Sequence, residues 1–435
     1  MFLKTTFVLL AVAFAAAEGT QSGVPIPLNS PVALTKVDGT FDHHRAIVQT
    51  YNTRNKHRQN LVNLERNVGR AGFNKGVEIK AYPSSPSLDK RQGLPLADED
   101  GSAWTGTVAI GSNAQNFTIK FDTGSSDLWV PNAHGCMGCG GHKSYDSRKS
   151  KTSQPQNGTF QIEYDDGSTV SGPIFKDTVT ISGAKAINQT FSASTEISSS
   201  FRGGPFDGVL GLASQALSNL AEVRFSSHTA MPCVFNASSW KPPFVQTAFA
   251  QQAIPKNEFS LKLASHGAEL LLGGTNPKLF KGAIEFHPVN ASTGFWQIGG
   301  GSILQGGKAV VSGFESIVDS GTSFIFGPAD QVKEFYDSIP GSQLFDEENG
   351  LYSYPCTGKT VFKVAFQWGG QAWAISPKDF NLGETLAGSG QCVGAISGVD
   401  IGLGDNVWQL GGSFMKNVYT VFSFANNAVG FAALK

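Results

Sequence analysis

The chain has 435 residues, enough for two or three domains, and 15% of them are charged, with 33 Lys+Arg against 34 Asp+Glu. That charge content lies below the roughly 25% typical of soluble proteins, and 51 glycines among short β-branched and aromatic runs point to an all-β, turn-rich protein. Beyond the first twenty residues no segment has the ~18 consecutive apolar residues of a membrane-spanning helix, and the end, NNAVGFAALK, is no lipid-anchor tail, so no membrane anchor is expected.

The N-terminus, MFLKTTFVLLAVAFAAAEG, carries a lysine, an apolar run and small residues at Ala15-Ala16-Ala17. This is the pattern of a signal peptide spanning 1–17, and it predicts export. Residues 1–91 then hold 12 Lys+Arg and 6 Asp+Glu, while the remainder holds 21 and 28. The basic part closes on SSPSLDKRQG, where Lys90-Arg91 follows a Pro/Ser-rich linker. Residues 18–91 are accordingly expected to be a removable basic propeptide, with the mature chain starting near Gln92. A basic segment can lie on an acidic body through charge pairs that acid weakens. An acidic mature chain disfavours nucleic acid as a partner.

The next strands expected are WTGTVAIG and FTIKF, the second running into FDTGSSDLWVP at Asp122. HGCMGCGGH (134–142) offers either a short disulfide or four ligands for zinc, His134, Cys136, Cys139 and His142. Crowding within nine residues and an oxidising compartment favour the disulfide. FQIEYDDGSTVSG (160–172) reads as strand, tight turn, strand. Further strands are expected at FSLKLA and AELLLGG, and short helices at SQALSNLAE, FVQTAFAQQAI and ADQVKEFYDSI, the last opening after Gly327-Pro328. Five sequons, at Asn116, Asn157, Asn188, Asn236 and Asn290, agree with export.

A second Asp-[Ser/Thr]-Gly lies in ESIVDSGTSFIFGP at Asp319, 197 residues after Asp122. Both triplets follow apolar residues and lead into Ser/Thr and then apolar residues, as buried strands ending in a Gly turn do. PFDGVLGLA (205–213) and VWQLGGSF (407–414) each carry a Leu-Gly step, with Gly211 and Gly411 standing 89 and 92 residues beyond their own aspartates. A duplicated lobe follows.

With IEYDDGS, ELLLGG and NVYTVFSFANNAVGFA, these motifs make the chain resemble the pepsin-like aspartic endopeptidases, the secreted fungal ones above all. The resemblance covers the whole mature chain. It implies an all-β, bilobed fold of two duplicated lobes, 92–279 with the flap and 280–435, acting as a secreted acid endopeptidase made as a zymogen. A vacuolar location is the lesser alternative. Asp122 and Asp319 would face each other and share one proton, because two close carboxylates do not readily both ionise. Each would be supported by its Gly and hydroxyl neighbours, Gly124 and Ser125, Gly321 and Thr322, while Thr123 and Ser320 buttress the pair across the lobes. Residues 160–172 would be a flap closing on substrate, with Tyr164 bonded to Trp129, and with Asp166, Gly167 and Ser168 near the substrate.

Two positions depart from the family pattern: Asp165 stands where glycine usually follows the tyrosine, and Gly412 where Asp usually follows Leu-Gly. The resemblance pairs Cys356 with Cys392 and Cys136 with Cys139, and leaves Cys233 over. It implies protein or peptide substrates with hydrophobic residues around the cleaved bond, some tolerance for lysine, no cofactor, no metal and a monomer. The propeptide would act as inhibitor, with Lys75 and Lys80 the first candidates to block the aspartates. An inactive binding protein of the same fold is the alternative, and a two-carboxylate glycosidase fits the duplicated turns poorly.

Overall fold

The protein is described from a computed structural model, in which residues 23–31, 33–80, 103–163, 169–197, 204–220, 241–356 and 363–435 are placed. Three sheets carry the architecture. An eight-stranded sheet is drawn from residues 105–211 and a ten-stranded sheet from residues 297–410. A six-stranded sheet joins them, taking 258–262 and 268–272 from one side of residue 280 and 280–288, 418–423 and 428–434 from the other.

Alternation accounts for the strands that carry the site. In Gln115–Asp122 the side chains of Phe117, Ile119 and Phe121 enter the core while Asn116 is exposed. The expected strands are found as Thr105–Ile110, Gln115–Asp122, Gln154–Glu163, Glu258–Lys262 and Ala268–Leu272. Gln154–Glu163 and Thr169–Ile181 pair antiparallel up to Glu163 opposite Thr169, so the expected hairpin is present on both sides of its tip. Residues 164–168 at the tip lie outside the described residues, as do Cys233, Asn236, Lys90-Arg91 and residues 1–22.

Two expected helices form, at Phe244–Ala250 and at Ala329–Asp337, with Pro328 at the cap. In SQALSNLAE the described residues, 214–220, form no α-helix; they keep one 3-10 turn, Gln215–Leu217, whose Ser214 side chain accepts from Ala216 N. Cys356 is joined to Cys392 and Cys136 to Cys139. The sequons at Asn116, Asn157, Asn188 and Asn290 are exposed. Among the described residues no helix is long and apolar enough to cross a membrane.

Within the basic segment, the described residues between 23 and 80 are structured. Val24–Leu28 adds an edge strand to 268–272, in register from Val24 opposite Leu272 to Leu28 opposite Ala268. Pairing on one side alone tolerates Pro25 and Pro27, while Ile26 and Leu28 are buried. A 26-residue helix, His43–Val68 (α1), follows, capped by the Asp42 side chain accepting from Arg45 N and ended by Gly69 at φ 83°. It contains no Gly or Pro, and it was not foreseen from charge alone.

The six-stranded sheet is the common floor. Phe259 stands opposite Phe422 with rings stacked at 4.8 Å, and Trp296 meets Phe259 edge-on at 5.9 Å. Phe259→Ala is expected to cost about 3–5 kcal/mol, read as a lower urea midpoint at unchanged slope.

Candidate active site

Asp122 ends a strand that runs parallel to Gly208–Gly211, with Asp122 opposite Gly211. Asp319 follows Lys308–Val318, which runs parallel to Val407–Leu410, and its N–H donates to Leu410 O at 3.0 Å. The two loops are built alike. Gly124 N donates to Asp122 Oδ1 at 2.9 Å and Ser125 Oγ to Oδ2 at 2.8 Å. Gly321 N donates to Asp319 Oδ1 at 2.9 Å and Thr322 Oγ1 to Oδ2 at 3.0 Å. Both aspartates are buried.

The loops also hold each other. Thr123 Oγ1 donates to Val318 O at 3.0 Å and accepts from Ser320 N at 2.8 Å. Ser320 Oγ donates to Phe121 O and accepts from Thr123 N, both at 3.1 Å. The glycines make the approach possible from the opposite side. A β-carbon on Gly124 would fall on the Asp319 carboxylate, and one on Gly321 on that of Asp122.

A cation lies between the acids. Lys56 Nζ, from the middle of α1, is 3.1 Å from Asp122 Oδ1 and 2.7 Å from Asp319 Oδ2. Lys75 and Lys80 are not there. Both lie beyond the helix end at Gly69; Lys80 reaches Asp400 at 2.7 Å, and the Lys75 carbonyl accepts from Asp405 N at 3.0 Å. The side chain that reaches the acids had to come from the long helix, and a 26-residue run free of Gly and Pro was the signal available.

Several other buried residues of α1 are polar. Asn60 Nδ2 donates to Gly124 O at 2.7 Å, Asn63 Nδ2 to Leu217 O at 2.9 Å, and Asn67 Nδ2 to Ala216 O and Ser218 O at 2.9 and 2.8 Å. The space beside α1, about 90 Å³, is bounded by Trp129, Ile162, Phe206 and Val209 near Asp122. Trp129 is buried there with Phe160 and Val170; Tyr164, Asp165, Asp166, Gly167 and Ser168 lie outside the described residues. Gly412 N donates to Thr322 O at 2.7 Å, at the back of the second loop.

In the Cys136 loop, His134 Nε2 meets Asp146 Oδ1 at 2.8 Å and His142 Nδ1 lies 3.9 Å from Asp207 Oδ1. Each histidine thus faces a carboxylate.

Residues 103–434 match the family described as "Eukaryotic aspartyl protease". The chain belongs to the pepsin-like aspartic proteases. It is 37% identical over 338 residues to an aspartic protease of Phaffia rhodozyma, covering 76% of each chain. Cathepsin D of Bos taurus is 34% identical over 384 residues, 82% of this chain and 92% of its own. Pepsin A of Sus scrofa is 31% identical over 362 residues, 81% and 86% respectively. The protein is an aspartic-type endopeptidase, a hydrolase.

The electrostatics of this aspartic protease follow from α1. Burial alone would push the Asp319 carboxyl up; the Lys56 ammonium and the hydrogen bonds it receives outweigh that and hold it at about 2. His57, the next residue, is fully buried, 3.9 Å from Asp319 Oδ2, with neither ring nitrogen hydrogen-bonded. Burial, then the adjoining Lys56 charge, push its imidazole down to about 3, with Gln409 and Asp122 opposing. Unfolded histidine titrates near 6.5, so the unfolded chain takes up this proton first, and the seating of α1 weakens as pH falls from about 6.5 toward 3. Asp319 adds its loss lower, between about 4 and 2. Hydrogen exchange along α1, corrected for intrinsic rates, should therefore quicken between pH 6.5 and 4 in the full chain. His57→Leu is expected to flatten that window; equal quickening in both proteins would rule the histidine out.

Proposed function

We propose that this aspartic endopeptidase is a secreted acid protease made as a zymogen, in which Asp122 and Asp319 are the catalytic pair and residues 18–91 are the inhibitory propeptide. The carrying observation is Lys56 Nζ placed between the two carboxylates. A water held between the aspartates would need the same position, and a charged lysine there leaves neither acid free to act. The N-terminal apolar run, the exposed sequons and Lys90-Arg91 fit export followed by removal of the segment.

Once α1 leaves, the pair can hold one proton between them. The ionised carboxylate takes a proton from the bound water as its oxygen attacks the scissile carbonyl carbon. The protonated carboxyl donates to the carbonyl oxygen, giving a neutral tetrahedral diol with no bond to the enzyme. The carboxyl that took the water proton passes it to the amide nitrogen, the other carboxylate takes a proton from a diol hydroxyl as the C–N bond breaks to carboxylic acid and amine, and the pair is again singly protonated. Apolar side chains at Ile162, Phe206 and Val209 favour hydrophobic residues around the cleaved bond.

The test is hydrolysis of denatured haemoglobin against pH by processed enzyme, beside Asp122→Asn and Asp319→Asn. Activity should peak in acid, fall at least about 10³-fold in either variant and be blocked by a statine-type diol mimic. The uncleaved chain should be inactive near neutral pH, and Lys56→Met should raise its activity there. Folded, processed wild type that cleaves nothing between pH 2 and 7 would refute the reading.

A further inference from the structure

The duplicated halves agree down to single hydrogen bonds. Gly211 N donates to Asp127 O, and Gly411 N to Phe324 O, each acceptor standing five residues past its aspartate. Val209 pairs with Lys120 and Trp129. Gln409 pairs with Ile317 and Phe326, at the same offsets from the second aspartate. At this matched position the first half has valine and the second a primary amide.

Gln409 is fully buried. Its Nε2 donates to Asp319 Oδ2 and, at 3.0 Å, to Thr322 Oγ1, while its Oε1 has no hydrogen-bond partner. Asp122 thus takes two donors from its own half, Gly124 and Ser125, and Asp319 takes three. Burying an amide with one unsatisfied oxygen is unfavourable, and valine shows that the duplicated frame accepts an apolar side chain here. An N–H aimed at a carboxylate oxygen stabilises its charged form over its protonated one. We infer that Gln409 is a positioning residue that makes the two acids unequal, biasing the singly protonated pair toward charge on Asp319 and the proton on Asp122.

The consequence for the reaction is a division of labour. Asp319 takes the water proton, and Asp122 donates to the carbonyl oxygen. The groups facing Asp319 are Asp122 from the other half and Lys56 and His57 from α1. Both α1 groups depart with the propeptide, so Gln409 is the asymmetric donor that stays. This inference rests on the reading of Asp122 and Asp319 as the catalytic pair.

The test is the pH profile of kcat/KM for processed enzyme, wild type against Gln409→Met and Gln409→Val. Methionine keeps the length and removes the donor; valine is the residue the first half uses. Losing a charge-assisted hydrogen bond should raise the acid-side apparent pKa by about one pH unit. The alkaline limb should stay in place, because the Asp319 carboxylate is charged on both sides of that step. Active variants with an unmoved acid limb, changed only in KM or melting temperature, would reduce Gln409 to packing and overturn the inference.

Val209→Gln does not depend on a buried substitution being tolerated, since position 209 borders the cleft. It should carry the alkaline limb, which titrates Asp122, to lower pH, and an alkaline limb left at the wild-type position would count against the inference. Wild-type enzyme that cleaves nothing at any pH would instead bring down the catalytic reading itself.

Discussion

Holding two carboxylates against each other inside a protein is the constraint on which the site depends. Like charges at close range in a low-dielectric interior repel strongly, so the frame must be stiffer than the force that separates them. Here the frame is reciprocal. Thr123 and Ser320 each use one hydroxyl to accept the other's N–H and to donate to a carbonyl of the other loop, Val318 or Phe121. Neither aspartate can retreat without breaking bonds that belong to both halves. The missing side chains of Gly124 and Gly321 are the space the opposite carboxylate occupies. Duplication supplies this arrangement economically, because one loop design used twice about an axis places each glycine beside the other's acid.

Much of this was legible in the sequence because it is written locally. An apolar strand, an acid, a hydroxyl residue and a glycine form a contiguous signature, and its recurrence at Asp319 identified the partner. The Leu-Gly steps at 211 and 411 marked the parallel strands that back each loop. Less legible was whatever depends on a surface assembled from distant segments. α1 has a weak apolar stripe, since Gln49, Thr50, Thr53, Asn55, Asn60, Asn63 and Asn67 are all buried. Hydrophobic periodicity cannot announce a helix whose buried face is polar, so neither α1 nor Lys56 was read from composition. The turn at Gln215–Leu217 failed as a helix for the converse reason: Ser214 caps a single 3-10 turn, and the chain is then held to Asp127 through Ser218 and Asn219. Gln409 was visible as soon as VWQLGG was laid against DGVLGL, but its meaning needed Asp319 beside it.

The polar character of α1 also fits the proposed removal of the segment. An apolar helix would fill the cleft through the hydrophobic effect, which has little dependence on proton concentration. α1 instead donates side-chain amides to the carbonyls of Gly124, Ala216, Leu217 and Ser218 and an ammonium to two carboxylates. Each neutral bond contributes only about 1 kcal/mol net, because water can replace either partner. The ionic centre contributes more, and it is the part that responds to pH. Protonation of Asp319 weakens the attraction to Lys56, and protonation of His57 places a second cation in a fully buried position beside the first. Both changes oppose the helix without touching the apolar sheets, whose aromatic core contains no group that titrates in acid at Phe259, Trp296 or Phe422. The segment and the body therefore answer differently to the same change in pH. On the zymogen proposal, that difference would let the occupied cleft open at acidities where the fold that built it persists.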